Sequence, residues 1–463
     1  MLRCYLPVFY LIPELLPNME KGYKTVFSPT IRDTELPEPD NFNGLQYPYL
    51  DANSFYGGTG GGGPWGASSS ASAFSVKVGA FTLNTSTGSQ QVTGLGFTPK
   101  LVIFLSMPDT ADVAIDAADF HEMIGAASAS SQWVMYANSL NAAATSDTVN
   151  NFQTGKCIIS FTPAGGSGAE DYAADLVTMN TDGFTLNVSN APSSGYKVGY
   201  MALGGSDITA VKVGSFSWAN SGGAHAVTGV GFQPTALLVC GGDSPDQVSL
   251  KANARFNLGL AVSPNQAMMY SHDDDALATI NSGKNSLTTR LANQHMDAGS
   301  NAQTWTSMDA DGWTYTTNTA PTTGRPAGYI AIKCLRAYLG NTNLPTSAGS
   351  HSVTGVGFQP KAGFFFSIAA PTTASADDDQ FSFGFAESST AQFVAGGFSD
   401  DGVADSVASH FSSSQNLFRA TTAYPGAVEE EATFSAWGSD GFNLTVGTAV
   451  ASNPAQLHYL VMG

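Results

Sequence analysis

The chain has 463 residues, of which only 12% are charged, with 50 glycines and a formal net charge of −19 from 18 Lys+Arg against 37 Asp+Glu. That balance makes a poor binder of polyanions and excludes nucleic acid as a direct partner. Sparse charge also does not suit helices with charged outer faces, while abundant small residues suit many short strands joined by tight turns.

Residues 1–74 read as an extended N-terminal docking arm followed by a Gly/Ser linker. The apolar stretch Leu2 to Leu16 is broken by Pro7 and Pro13, too short and too interrupted to span a bilayer, so no membrane insertion is expected. It lacks the basic start and cleavage site of a secretory signal. Pro29, Pro37, Pro39 and Pro48 alternate with Phe42, Tyr47, Tyr49, Phe55 and Tyr56, with no helical or strand period. A segment this apolar that builds no core of its own folds against something else. Residues 1–56 are therefore expected to contact another protein.

From residue 75 the chain repeats itself. Val92-Thr-Gly-Leu-Gly-Phe-Thr-Pro99 returns as Val227-Thr-Gly-Val-Gly-Phe-Gln-Pro234 and again as Val353-Thr-Gly-Val-Gly-Phe-Gln-Pro360. Read as extended chain, Thr228, Val230 and Phe232 share one face and Gly229 and Gly231 the other. Each copy precedes an apolar run, Leu101–Leu105, Ala236–Cys240 or Ala362–Phe366, of the kind that forms a strand buried on both faces. Three further landmarks keep the same order. Gly125…Gln132, Gly259…Gln266 and Gly384…Gln392 stand mid-unit; Asp182-Gly183, Asp311-Gly312 and Asp440-Gly441 mark β-hairpins. Gly199-Tyr200, Gly328-Tyr329 and His458-Tyr459 close each unit.

These periods predict an all-β protein of three tandem homologous β-sandwich domains, jelly-roll-like, over 75–206, 207–334 and 335–463. About eight strands are expected in each, with Asp109 to His121 left as loop. Short links hold the units at fixed angles. Three like units in one chain can imitate a three-fold ring, which implies a chain seated singly on a three-fold position or a homotrimer.

The search for chemistry returns little. There is no nucleophile elbow, Walker loop or dinucleotide fingerprint, so no catalytic residue and no cofactor site is expected, and the chain reads as not an enzyme. The seven histidines show no paired metal-ligand spacing, and no metal site is expected. His225 and His351 stand where the first unit has Gln90, which suits a polar edge residue rather than a general base. The runs Asp273-Asp274-Asp275, Asp377-Asp378-Asp379 and Glu429-Glu430-Glu431 lack the spaced ligands of a calcium loop and read as solvated acidic loops. Cys4, Cys157, Cys240 and Cys334 show no C-x-x-C spacing and read as buried free thiols, which fits assembly in a reducing compartment. Trp133, Trp218, Trp305 and Trp437 read as core, with sugar stacking on an exposed one as the rival.

The opener Lys-Val-Gly-x-Phe, the repeated word, the Asp-Gly-Phe hairpin and the closing Gly-Tyr together resemble repeats in virion structural proteins of tailed bacteriophages, such as tail-associated, fibre-like and head-decoration subunits. The resemblance covers residues 76 to 463. It implies a virion component, assembled in the host cytoplasm, that contacts other capsid or tail proteins through residues 1–56. The alternative it leaves open is a host-receptor or glycan-binding tail fibre or spike.

Overall fold

The computed structural model describes residues 73–463 apart from 113–114, 117–118, 163–167, 247–249, 297–298, 371–374 and 423–425. The expected arm and most of the linker, residues 1–72, lie outside them, as does Cys4. The described elements are 33 strands in three sets of eleven, so the protein is all-β. The first set is β1 (Ser75–Thr82), β2 (Gly88–Thr93), β3 (Leu101–Ser106), β4 (Ile115–Asp116), β5 (Asp119–Ser128), β6 (Ser131–Leu140), β7 (Thr148–Gln153), β8 (Ile158–Phe161), β9 (Glu170–Asn180), β10 (Gly183–Asn190) and β11 (Lys197–Gly204). Strands β12–β22 (residues 208–334) and β23–β33 (residues 337–462) repeat it in order.

In each set a large sheet, ordered β1-β11-β3-β5-β6-β7 in the first, faces a four-stranded sheet ordered β2-β10-β9-β8. The large sheet gains a seventh strand from another set. β15 (Lys251–Ala252) joins β7, β26 (Ser375–Asp377) joins β18 (Ser282–Leu287), and β4 joins β29 (Ala408–Ser413). The exchange is cyclic: set two completes one, three completes two, and one completes three. Three edges that would otherwise offer unpaired backbone to solvent are covered this way.

The apolar runs explain why the ring has a solid centre. In β3, Leu101, Ile103 and Leu105 face a core shared by all three sets, while Val102 and Phe104 face the first sandwich. β14 (Ala236–Gly241) divides alike, with Ala236, Leu238 and Cys240 inward and Leu237 and Val239 outward. β25 (Ala362–Ser367) sends Phe364 and Phe366 to the shared core and Phe365 to its own sandwich. Full burial of such a side chain is worth about 1.5–3 kcal/mol, so period-two alternation alone commits each strand to two cores.

Beyond its opening residues the repeated word is not a strand. β2 ends at Thr93, and Gly94 and Gly96 turn to φ 86° and 76°; Gly229 and Gly231 stand at 83° and 88°, Gly355 and Gly357 at 86° and 84°. Side chains rarely adopt this left-handed region, so glycine is required there. The distant Asp-Gly marker holds the loop. Asp182 accepts N–H bonds from Gly94 (3.0 Å) and Gly96 (2.6 Å), Asp311 from Gly229 (2.9 Å) and Gly231 (2.6 Å), and Asp440 from Gly355 (3.0 Å) and Gly357 (2.5 Å). The hairpin expected at Asp182-Gly183 is present between β9 and β10. Its aspartate does more than turn the chain.

The other landmarks are equally structural. Tyr200, Tyr329 and Tyr459 lie across from Gly79, Gly214 and Gly340, where a Cβ would meet the phenol ring. Gln132, Gln266 and Gln392 accept from the backbone N–H of Leu176 (2.6 Å), Trp305 (2.7 Å) and Phe434 (2.7 Å). Each acceptor pins a β-bulge of the small sheet to the large one.

The registers give the body two different ends. Ser75 pairs with Gly204 and Leu203 with Leu101, which gathers the chain's entry at Ala73 and the crossover at 204–208 at one end. There Asp207 N–H bonds Ala73 O (2.5 Å) and Leu335 N–H bonds Asp207 O (3.0 Å). Asp119 pairs with Leu140 at the other end, where the β6–β7 loop and its counterparts meet.

Candidate functional site at the module seams

Each seam sets a residue of one module against a gap in the next. Trp133, third in β6, covers Gly328, where any Cβ would strike the indole; its Nε1 donates to Tyr329 O at 3.0 Å. Phe393, third in β28 (Ala391–Ser399), covers Gly199 in the same way. At the remaining seam the sizes invert. The third residue of β17 (Asn265–Asp273) is Ala267, and the position of Gly199 and Gly328 is held by His458. The last closing marker, His458-Tyr459, departs from Gly-Tyr at this position. His458 stacks on Phe366 with ring centroids 4.7 Å apart and meets Ser286 Oγ at 2.7 Å; burial pushes its pKa down to about 4. A cavity of about 360 Å³ lined by Gln266, Ala267, Tyr338 and Tyr459 marks this seam.

At the far end the three loops lock pairwise. Ala142 N–H bonds Ser406 O (2.7 Å), Ala276 N–H bonds Ser146 O (2.8 Å) and Gly402 N–H bonds Ile280 O (2.9 Å), a closed triangle. Ser146, Ile280 and Ser406 return bonds to Leu277, Val403 and Ala143 at 2.9–3.0 Å. Beneath this cap the acidic runs depart from expectation. Asp273, Asp379 and Glu430 are buried rather than solvated. Strand geometry is the reason: Asp273 ends β17 and Asp379 opens β27 (Asp379–Ser388), and alternation turns both inward while their neighbours stay partly exposed. Asp273 occupies the position held by Ser139 and Ser399 in the other modules. Burial raises its carboxyl to about 6 against those two hydroxyls. Glu122 is pushed well up by burial despite a 2.6 Å bond from Ser271 Oγ, and Asp379 by burial and by Asp273 and Glu122.

The seams also differ in a second position, third in β7, β18 and β29: Asn150, Lys284 and His410. Asn150 Nδ2 donates to Asp243 Oδ1 (2.7 Å) and Asn253 O (2.6 Å). Lys284 donates to Gln380 Oε1 (3.1 Å), its amine pushed down by burial against Asp379, Asp378 and Glu429. It borders a cavity of about 570 Å³ that also includes Asp377 and Glu430, whose carboxyl burial raises to about 7. His410 lies among Asp109, Asp116, Asp119 and His121. Nothing in the sequence groups these residues, since His410 comes from the third module and the rest from the first.

Residues singled out in the sequence fall elsewhere. Gln90, His225 and His351 lie on the edge strands of the small sheets, and each bonds the turn just before its own strand or the strand end before it: Thr82 O, Ser221 O and Thr342 Oγ1. Trp133 and Trp218 are core residues, Trp305 is nearly so, and Trp437 is half-buried with its Nε1 bonded to Glu387 O at 2.7 Å. Cys157, Cys240 and Cys334 are free and buried, each thiol pushed up by burial. Set beside protein-family models, characterised proteins and solved structures, the chain matches none.

Proposed function

We propose that the chain is a non-enzymatic structural protein of a bacteriophage particle, a capsid-decoration or tail/collar component. It would attach through residues 1–56 and display its three modules outward. The observation that carries this reading is the cyclic exchange of β4, β15 and β26, which closes a three-module ring within one chain. A single chain with pseudo-three-fold symmetry is suited to a three-fold position on a larger assembly. Within the described body, Ala73 lies at the end opposite the loop cap. Buried free thiols accord with assembly in the host cytoplasm. The glycan-binding alternative has less to stand on, because Trp133, Trp218 and Trp305 are buried and Trp437 is half-buried with its Nε1 already bonded to Glu387 O.

Quantitative mass spectrometry of particles purified from the producing cells tests this. The chain should be present at a fixed ratio to the major capsid or tail subunit. Recovery only as free protein, with none on the particles, overturns the proposal.

A further inference from the structure

The seam between the third and first modules carries an unbalanced cluster. Asp109, Asp116 and His410 each offer a ligand atom, and these atoms lie within 4.8 Å of one another. Asp109 is 2% exposed and His410 fully buried, while Asp116 opens to solvent. His410 Nδ1 lies 2.5 Å from Asp119 O. A carbonyl oxygen can only accept, so Nδ1 carries the proton and Nε2 is left to face the carboxylates. Nε2 stands 3.3 Å from Asp109 Oδ1, yet neither it nor Asp109 Oδ2 makes a hydrogen bond. Unprotonated, Nε2 turns a lone pair toward the two acids; the positive charge His410 can offer them is a proton on Nε2, and a metal ion would stand in that proton's place. An imidazole fixed through Nδ1–H to a backbone carbonyl is also the arrangement in which histidine commonly presents Nε2 to a metal.

The first seam shows what should stand there. His410 pairs across the exchanged strand with Asp116; at the equivalent place Asn150 pairs with Lys251. Asp243, the counterpart of Asp109, receives Lys251 Nζ at 2.7 Å and Asn150 Nδ2 at 2.7 Å. So at the first seam the exchanged strand supplies its own cation to a buried aspartate. At the third it supplies a further carboxylate. Like charges placed together without a counter-ion are costly in a desolvated site.

We propose that Asp109, Asp116 and His410 bind a divalent transition-metal cation, in the role that the Lys251 ammonium has at the first seam, and that this ion clips the ring shut where the first and third modules meet. One imidazole nitrogen and two carboxylate oxygens suit zinc, with a water completing four-coordination on the open Asp116 side. Imidazole disfavours calcium and magnesium.

The full-length chain, stripped with EDTA and dialysed, is titrated with zinc chloride and assayed for bound metal by elemental mass spectrometry and for melting temperature. One zinc per chain is expected, with a rise of several degrees in melting temperature. Asp116 is exposed, so two substitutions there leave the core intact. Asp116→Asn should weaken zinc binding at least tenfold. Asp116→Lys, which installs the first seam's solution, should abolish it and melt, without metal, at or above the temperature of the metal-free parent. Absence of stoichiometric zinc, wild-type zinc content in D116K, or an equal thermal shift with calcium chloride in place of zinc would each overturn the proposal.

Discussion

Asp273 shows how far one side chain departs from what its neighbours in sequence suggest. In the run Asp273-Asp274-Asp275, Asp274 is paired with Arg255 and held below the usual range, while Asp273 is buried and raised to about 6. The groups facing Asp273 are Ser399, Ser139, Arg255 and Asp274, with Glu122 and Asp379 close by. Its folded pKa lies above the unfolded value near 3.8, so the native state keeps a proton that the unfolded chain releases. Stability from this group is complete below about pH 4 and is lost as pH rises through about 6, by an amount on the order of 3 kcal/mol. His458 works in the opposite sense over pH 4–6.5, because its folded pKa is depressed to about 4. The difference between parent and variant isolates Asp273. Asp273→Asn should match the parent near pH 4 and exceed its denaturation free energy at pH 8; an equal difference at both pH values would refute the assignment.

At the scale of elements, the seams depend on bulk meeting a gap. Gly328→Ala should cost about 1–3 kcal/mol, because the new methyl strikes Trp133 and the surrounding strands fix both backbones. Gly155→Ala is the control, with nothing within 4 Å of the added Cβ and no left-handed φ to strain. Urea denaturation of both variants checks this, and similar losses would show that the seam is not tightly packed. Much of this level was legible in the sequence. The runs at Leu101, Ala236 and Ala362 announced strands buried on both faces, and the Asp-Gly pairs announced hairpins. The repeated word reads as extended in the sequence because glycine at alternate positions fits a strand face and a left-handed loop equally well. Only the Asp182, Asp311 and Asp440 carboxylates, 80 to 88 residues downstream, decide between them.

For the whole molecule, ring closure within one chain removes the need for partner copies. Light scattering should give a single species of about 48.0 kDa, the mass of one chain. A species of three times that mass would mean that the body needs copies of itself. The shared core draws on all three modules, so urea unfolding followed by tryptophan fluorescence and by far-ultraviolet dichroism should coincide in one transition. Separate transitions would show modules that stand alone.

The number of modules, their order, their all-β class and the Asp-Gly hairpins were determined by the sequence, because period-two alternation and hairpin-turn chemistry are local and repeat with the fold. The seams were decided only in three dimensions. Asp109 and His410 lie far apart in the chain, as do Trp133 and Gly328, and no local pattern records that β4 completes a sheet of the third module. Asp109 and His410 meet because cyclic closure sets the first module against the last, and Trp133 and Gly328 meet where the first module packs on the second.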